Sequence, residues 1–277
     1  PPRAPDAISG SEFARAARMS MAEREDAAVA ELLAGNIPES LRDLKPVRLA
    51  INEATAAVSA FPTPTAAPLE MAPRAPVGTA LPAAHASPTA IVWVMPDYLA
   101  IGADDDFLRL PLSLRAAISV AIAFGFVLPT PKIVDAIHAQ SSLRLEPQPM
   151  TPGPEMGSMG YFLRHQEMIE AQRQGRHSGE LISGHKKDVV LTRRLLENTG
   201  RVAIYGWHRL NGVPIQPLST VHGERYADYS HGVRLVAQTV WIGGGAASSI
   251  LEVLEDPELA PLLTREGLIE GARGLMR

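Results

Sequence analysis

From Ser11 to Leu33 apolar residues recur at spacings near three and four, through Phe13, Ala17, Met21, Ala27, Val29, Leu32 and Leu33, with charges between them. That period predicts one amphipathic helix, ended by Gly35-Asn36 and Pro38. Ser40 to Leu44 adds a short helical turn. Val47–Ile51 and Ile91–Met95 are β-branched runs that predict strands pairing as a long-looped hairpin, with Tyr98–Ile101 as a further partner after a Pro96-Asp97 turn. Between the two runs lies an alanine, proline and threonine tract that cannot bury enough apolar surface to order itself.

Two helices follow in the middle third. Ser113 caps a strongly apolar run to Phe124, and Thr130 caps a second helix with Pro131 at its first position. A third runs from about Gly160 to Gln174. The final third alternates in the manner of a sheet: Val189–Leu191, Arg201–Leu210, Pro214–Leu218 and Val233–Ile242 predict strands. Asn211-Gly212 is the strongest hairpin signal and predicts a type I′ turn. Ser248–Leu254 and Pro257–Leu263 close the chain as short helices. The pattern gives an α+β fold, with an antiparallel or mixed sheet mainly from the C-terminal third and buried helices packed on it. It divides into an N-terminal helical segment, 1–46, and a main domain, 47–277, that carries the flexible insertion at 54–90.

Composition narrows the chemistry. Among 277 residues, 46% are hydrophobic and 20% charged, which is ordinary for a globular protein. A net charge of −4 offers no basic stripe for a polyanion, so nucleic acid is not an expected partner. No run nears the ~18 apolar residues of a membrane span, so membrane insertion is not expected either. The absence of cysteine excludes thiol nucleophiles, disulfides and thiolate metal sites. The start, Pro1-Pro2-Arg3-Ala4-Pro5, lacks both an initiator Met and an apolar signal core, which gives the expectation of a trimmed, exported protein, periplasmic or extracellular.

Candidate chemistry concentrates between Ser183 and His231. Gly184-His185-Lys186-Lys187-Asp188 enters a strand, and Tyr226-Ala227-Asp228-Tyr229-Ser230-His231-Gly232 returns to the same region. His185, Asp188, His222, Asp228 and His231 form the candidate acid–base set, in which a carboxylate orients an imidazole while Lys186 or Lys187 stabilises developing negative charge. Ser183, Ser219 and Ser230 are the candidate nucleophiles of a covalent route. The His-x-x-Asp spacing of His185 and Asp188, with His222 or His231 as third ligand, makes a divalent metal such as zinc the candidate cofactor, held by His185, Asp188 and His231. Lys187, Tyr205, Trp207, His208, Gln216 and Tyr229 are the candidate substrate contacts, Tyr205 and Trp207 sharing one strand face by alternation. The plainer readings are a solvated loop at His185, a core pair at Tyr205 and Trp207, and a His231 bonded to a loop carbonyl. Asp104-Asp105-Asp106 lacks a calcium-loop pattern and predicts an approach loop; Gly243-Gly244-Gly245 lacks the residues of a phosphate loop.

The functional expectation is a hydrolase of an extracellular or cell-wall polymer, glycan or peptide, working by His/Asp acid–base chemistry. The competing expectation is a non-catalytic exported module that binds a glycan or protein through the Tyr205 and Trp207 face. Convergence of His185, His222 and His231 separates the two.

Overall fold

The computed structural model describes residues 1–16, 20–51, 88–176 and 179–277. The N-terminal pattern resolves into two helices, α1 (Gly10–Ala16) and α2 (Met21–Leu33). Ser20 divides them because it caps α2 in a reciprocal capping box with Glu23, which satisfies two backbone donors at the helix start. Positions 17–19, including Ala17 of the expected stripe, lie outside the described residues, as does most of the Ala/Pro-rich tract, 52–87.

Strands β1 (Lys45–Ala50) and β2 (Thr89–Val94) pair antiparallel, with Val47 opposite Val92, as their β-branched content predicts. Tyr98–Ile101 does not join them. Instead β3 (Ala100–Ala103) forms a tight hairpin with β4 (Asp106–Arg109), with Asp104 and Asp105 of the acidic triplet as its turn and Asp106 opening β4. Two of those acids tie down the N-terminal region: Asp104 accepts from Ser40, and Asp106 from Ser11.

Helix α3 (Leu114–Phe124) starts at the Ser113 cap and stops at Gly125 in the left-handed conformation. Short β5 (Phe126–Val127) leads to α4 (Pro131–Gln140), capped by Thr130 as its sequence implies. After β6 (Leu143–Arg144) comes α5 (Met159–Arg173), then β7 (Ile182–Ser183), β8 (Lys187–Val189), α6 (Arg194–Glu197), β9 (Ile204–His208), β10 (Pro214–Ser219) and β11 (His231–Gly232). The chain ends with β12 (Val236–Ile242), β13 (Ala246–Ser249), α7 (Ile250–Leu254), α8 (Ala260–Leu263) and α9 (Ala272–Leu275).

The fold is α+β, with strands in two main sheets rather than one. The first has the order β1-β2-β12-β13, with β5 on β12; the second has the order β10-β9-β8-β11. Only the two-residue pairings β8–β11 and β6–β7 are parallel among the described residues; the other named strand pairs are antiparallel. One apolar cluster joins α2, both sheets and the C-terminal helices, with Leu32, Val47, Val92, Ile133, Val189 and Leu254 essentially inaccessible. The β9–β10 hairpin departs from the expected type I′ turn. Gly212 N–H donates to Arg209 O and Gly212 alone is left-handed, so the turn is centred on Leu210 and Asn211 with glycine after it. Among the described residues no helix is long and apolar enough to cross a membrane.

Candidate functional site

The register of the second sheet sorts the candidate residues. His231 pairs with Lys187 and Gly232 with Asp188 across β8–β11, while Gly206 of β9 lies on the other side of Lys187. Paired residues share a face, so Lys187 and His231 stand together and Asp188 points the other way. On the Asp188 side Gly232 leaves a slot that the ring of Tyr98 fills. A Cβ at Gly232 would meet Tyr98 ring atoms at 2.5–2.8 Å. Gly232→Ala is therefore expected to cost about 2 kcal/mol or more by overpacking, read from the urea unfolding midpoint; an unchanged midpoint would refute the slot.

Tyr98 Oη donates to Asp188 Oδ2 at 2.8 Å, and its ring meets His185 edge-on at 4.8 Å. His185 Nε2 bonds Asp97 Oδ1 at 2.9 Å. Asp97 in turn grips Arg109, at 2.6 Å from Nη2, and Arg109 reaches Glu170 at 2.7 Å. Arg234 completes the seam: its guanidinium lies 4.4 Å over the Tyr98 ring and donates to Met95 O and Ile182 O. Burial sets the protonation of this layer. It pushes the Asp188 carboxyl up to about 6, despite Arg234 and Tyr98, and the His185 imidazole down to about 4, despite Asp97. Asp97, countered by Arg109 and His185, stays well below the usual carboxylate range.

A second group gathers on the Lys187 side. His222 stacks on Tyr226 at 4.0 Å, Tyr226 meets His231 edge-on at 5.6 Å, and Tyr226 Oη donates to Asp228 Oδ2 at 2.9 Å. Asp228 Oδ2 lies 4.0 Å from His231 Nε2, and Oδ1 accepts from Ser230 N–H and Oγ–H. Despite its burial, the Asp228 carboxyl is held below its ordinary value by His231, Ser230 and Lys187. Burial drives the His231 imidazole down to about 4. Both ring nitrogens of His231 are buried without a hydrogen-bond partner among the described residues. Lys187 is half-buried, its Nζ 5.1 Å above the Trp207 ring, and burial lowers its pKa.

The five acid–base candidates thus separate into His222, Asp228 and His231 around Tyr226, and His185 and Asp188 around Tyr98, so the three histidines do not converge and the expected five-residue acid–base set is not formed; only His222 and His231 come together. The metal triad expected of His185, Asp188 and His231 does not assemble: His185 is spent on Asp97, Asp188 on Tyr98, and His231 faces away from Asp188. No group of three His, Asp or Glu side chains is placed to hold one ion among the described residues. Lys186 is fully enclosed, donating to Tyr229 O at 2.6 Å beside His165 Nδ1, and burial brings its pKa to about 7.

The expected Tyr205 and Trp207 face is also corrected. Gly206 and Trp207 both have positive φ, 103° and 54°, which breaks the strand alternation. A left-handed conformation at a residue this bulky stores about 1–3 kcal/mol of strain. Trp207 turns to Phe162 and Tyr229 in a buried aromatic cluster, whereas Tyr205 and His208 both bond Asp135 at 2.8 Å. Tyr229 is buried as well, its Oη accepting from Met150 N–H. Gln216 sits opposite Gly206 in the register and bonds Pro217 O. Of the serine candidates, Ser183 meets His138 Nδ1 at 3.0 Å, Ser230 donates to Asp228, and Ser219 accepts from Val221 N–H.

His138 and His165, which helix position alone would leave at a surface or between helices, are buried at 3% and 0% exposure. Sequence reasoning also missed Asp97, Tyr98, Arg109 and Arg234. A signal existed for the arginines: each is a single charge inside an apolar run, Phe107-Leu108-Arg109-Leu110 and Val233-Arg234-Leu235-Val236. The chain matches no protein-family model, no curated protein and no solved structure.

Proposed function

We propose that the protein is a hydrolase of an extracellular or cell-wall polymer, with Asp228, His231 and Lys187 as its acid–base set. The observation that carries this reading is the unpartnered imidazole of His231, enclosed beside an ionised carboxylate and under a half-buried lysine. Buried polar atoms normally have partners, and their absence is costly unless water or a ligand supplies them. In the proposed reaction His231, neutral above pH 4, takes a proton from a water molecule. That water's oxygen attacks the scissile centre, the bond to the leaving group breaks, and the His231 imidazolium passes the proton it took to the leaving group. Asp228 stabilises the imidazolium formed, and the Lys187 ammonium faces the developing negative charge.

The test uses purified cell-wall sacculi, with released reducing ends and amino groups as readouts. His231→Ala and Asp228→Asn are expected to lower the rate by about 10²–10⁴-fold while the variants still melt cooperatively. Full activity in either variant, or no product from the unaltered protein, would overturn the proposal.

A further inference from the structure

We infer that an open cleft on the α2 side of the molecule is a binding site for a small apolar carboxylate. The cleft has a volume of about 280 Å³ and lies between α2, the Leu110–Leu112 segment, Phe162 and the Arg225–Ala227 segment. Met21, Ala28, Leu112, Phe162 and Ala227 make its walls apolar. Segment 225–228 alternates, with Arg225 and Ala227 lining the cleft while Tyr226 and Asp228 belong to the cluster around His231.

The charge in the cleft is unbalanced. Arg24 is 8% exposed as a whole residue, and burial lowers its pKa while the nearby Glu25 charge raises it. Nη2 donates to Gly157 O at 2.7 Å and the group lies 4.7 Å over the Phe162 ring, but no carboxylate pairs with it among the described residues. Its neighbour Glu25 is engaged elsewhere, accepting from Ser113 N–H and Ser113 Oγ–H at 2.6 and 2.8 Å. Arg225 is exposed at the rim, and its side chain has no hydrogen bond or ion pair among the described residues. Two arginines against one engaged glutamate leave the cleft positive.

The partly buried guanidinium makes no ion pair among the described residues and uses one donor on Gly157 O, so an incoming carboxylate can add a charge-assisted, bidentate pair to the donors left over. Apolar walls strengthen the pair by excluding water. The volume is just below the usual range of small-molecule sites, roughly 300–1,000 Å³. It therefore suits a carboxylate carrying an apolar body of about ten heavy atoms. This site does not depend on the hydrolase reading, since its ligand is recognised whether or not His231 is catalytic.

Octanoate is the probe, titrated calorimetrically into the full chain, with 1-octanol as its uncharged counterpart. Octanoate is expected to bind at least tenfold more tightly than 1-octanol. Arg24→Gln should weaken it tenfold or more, Arg24→Lys, which keeps the charge but loses the planar fork, should weaken it less than Arg24→Gln does, and Ala22→Trp, at an exposed position on the cleft wall, should block it. Arg225→Gln, whose exposed position is not needed for folding, should weaken binding several-fold even where Arg24→Gln fails to fold. No octanoate binding up to millimolar concentration, equal binding of 1-octanol, or undiminished binding in Arg225→Gln and Ala22→Trp overturns the site.

Discussion

Asp97→Ala is expected to lower the unfolding free energy by about 3–5 kcal/mol, the cost of leaving a buried charge without its partner. Asp97 accepts from Arg109 Nε and Nη2, from His185 Nε2 and from the Tyr98 amide. Its removal strands a guanidinium whose side chain is 1% exposed, with Glu170 as the remaining anion, and leaves Nε2 of His185 without its acceptor. The contrast is Glu170→Ala. Glu170 is 40% exposed, so solvent screens its pairing and replaces it, and the expected loss is below ~1 kcal/mol. Guanidinium chloride unfolding of both variants checks the pair. Equal losses would mean that the Asp97 contact is no more enclosed than a surface ion pair.

Acidification from pH 7 to pH 5 is expected to remove about 7 kcal/mol of stability. His138, His185 and His231 titrate near 4 and His165 near 2 in the folded protein, all displaced mainly by burial from 6.5. Above pH 6.5 the imidazoles are neutral in folded and unfolded chains alike. As the pH falls below 6.5 the unfolded chain takes up protons that the folded one refuses until about pH 4 or lower, so stability present above 6.5 is lost through that window. Each of the four costs about 2 kcal/mol at pH 5. Asp188 works in the opposite sense. Its folded carboxyl is raised to about 6, so it binds a proton that the unfolded chain has released, returning about 1 kcal/mol. For a chain of this length the melting temperature should drop by roughly 15–30 °C. Calorimetric scans at pH 7 and pH 5 decide it, and a shift under ~3 °C would mean that the imidazoles are hydrated.

Much of the local structure was legible in the sequence because it is fixed by neighbours along the chain. Ser113 and Thr130 cap their helices through bonds to backbone amides three residues on, and the β1–β2 hairpin follows from two β-branched runs. Asp228 and His231 were readable as companions for the same reason, being three residues apart. Other pairings are set only by the closed fold. His185 finds Asp97 at a separation of 88 residues, and Asp188 finds Tyr98 at 90. A polar residue carries no local mark of such a partner, so Asp188 read as a metal ligand although it is the acceptor of a buried tyrosine. Trp207 was misplaced for a different reason: period-two alternation assumes regular strand dihedrals, and two successive positive φ values undo it.

The two-residue parallel pairing of β8 with β11 also has a consequence for how the protein is made. It brings Lys186 against the Tyr229 carbonyl from 43 residues away, and nothing shorter in the chain substitutes for that closure. Loops of this kind must be closed before their contacts repay the lost freedom. A nascent chain therefore emerges with α1 to α6 and the β9–β10 hairpin able to form, while Lys187 lacks its parallel partner until His231 has left the ribosome. That edge of the second sheet is therefore completed late, and chains truncated before Gly232 should leave β8 without its parallel neighbour however well their earlier segments fold.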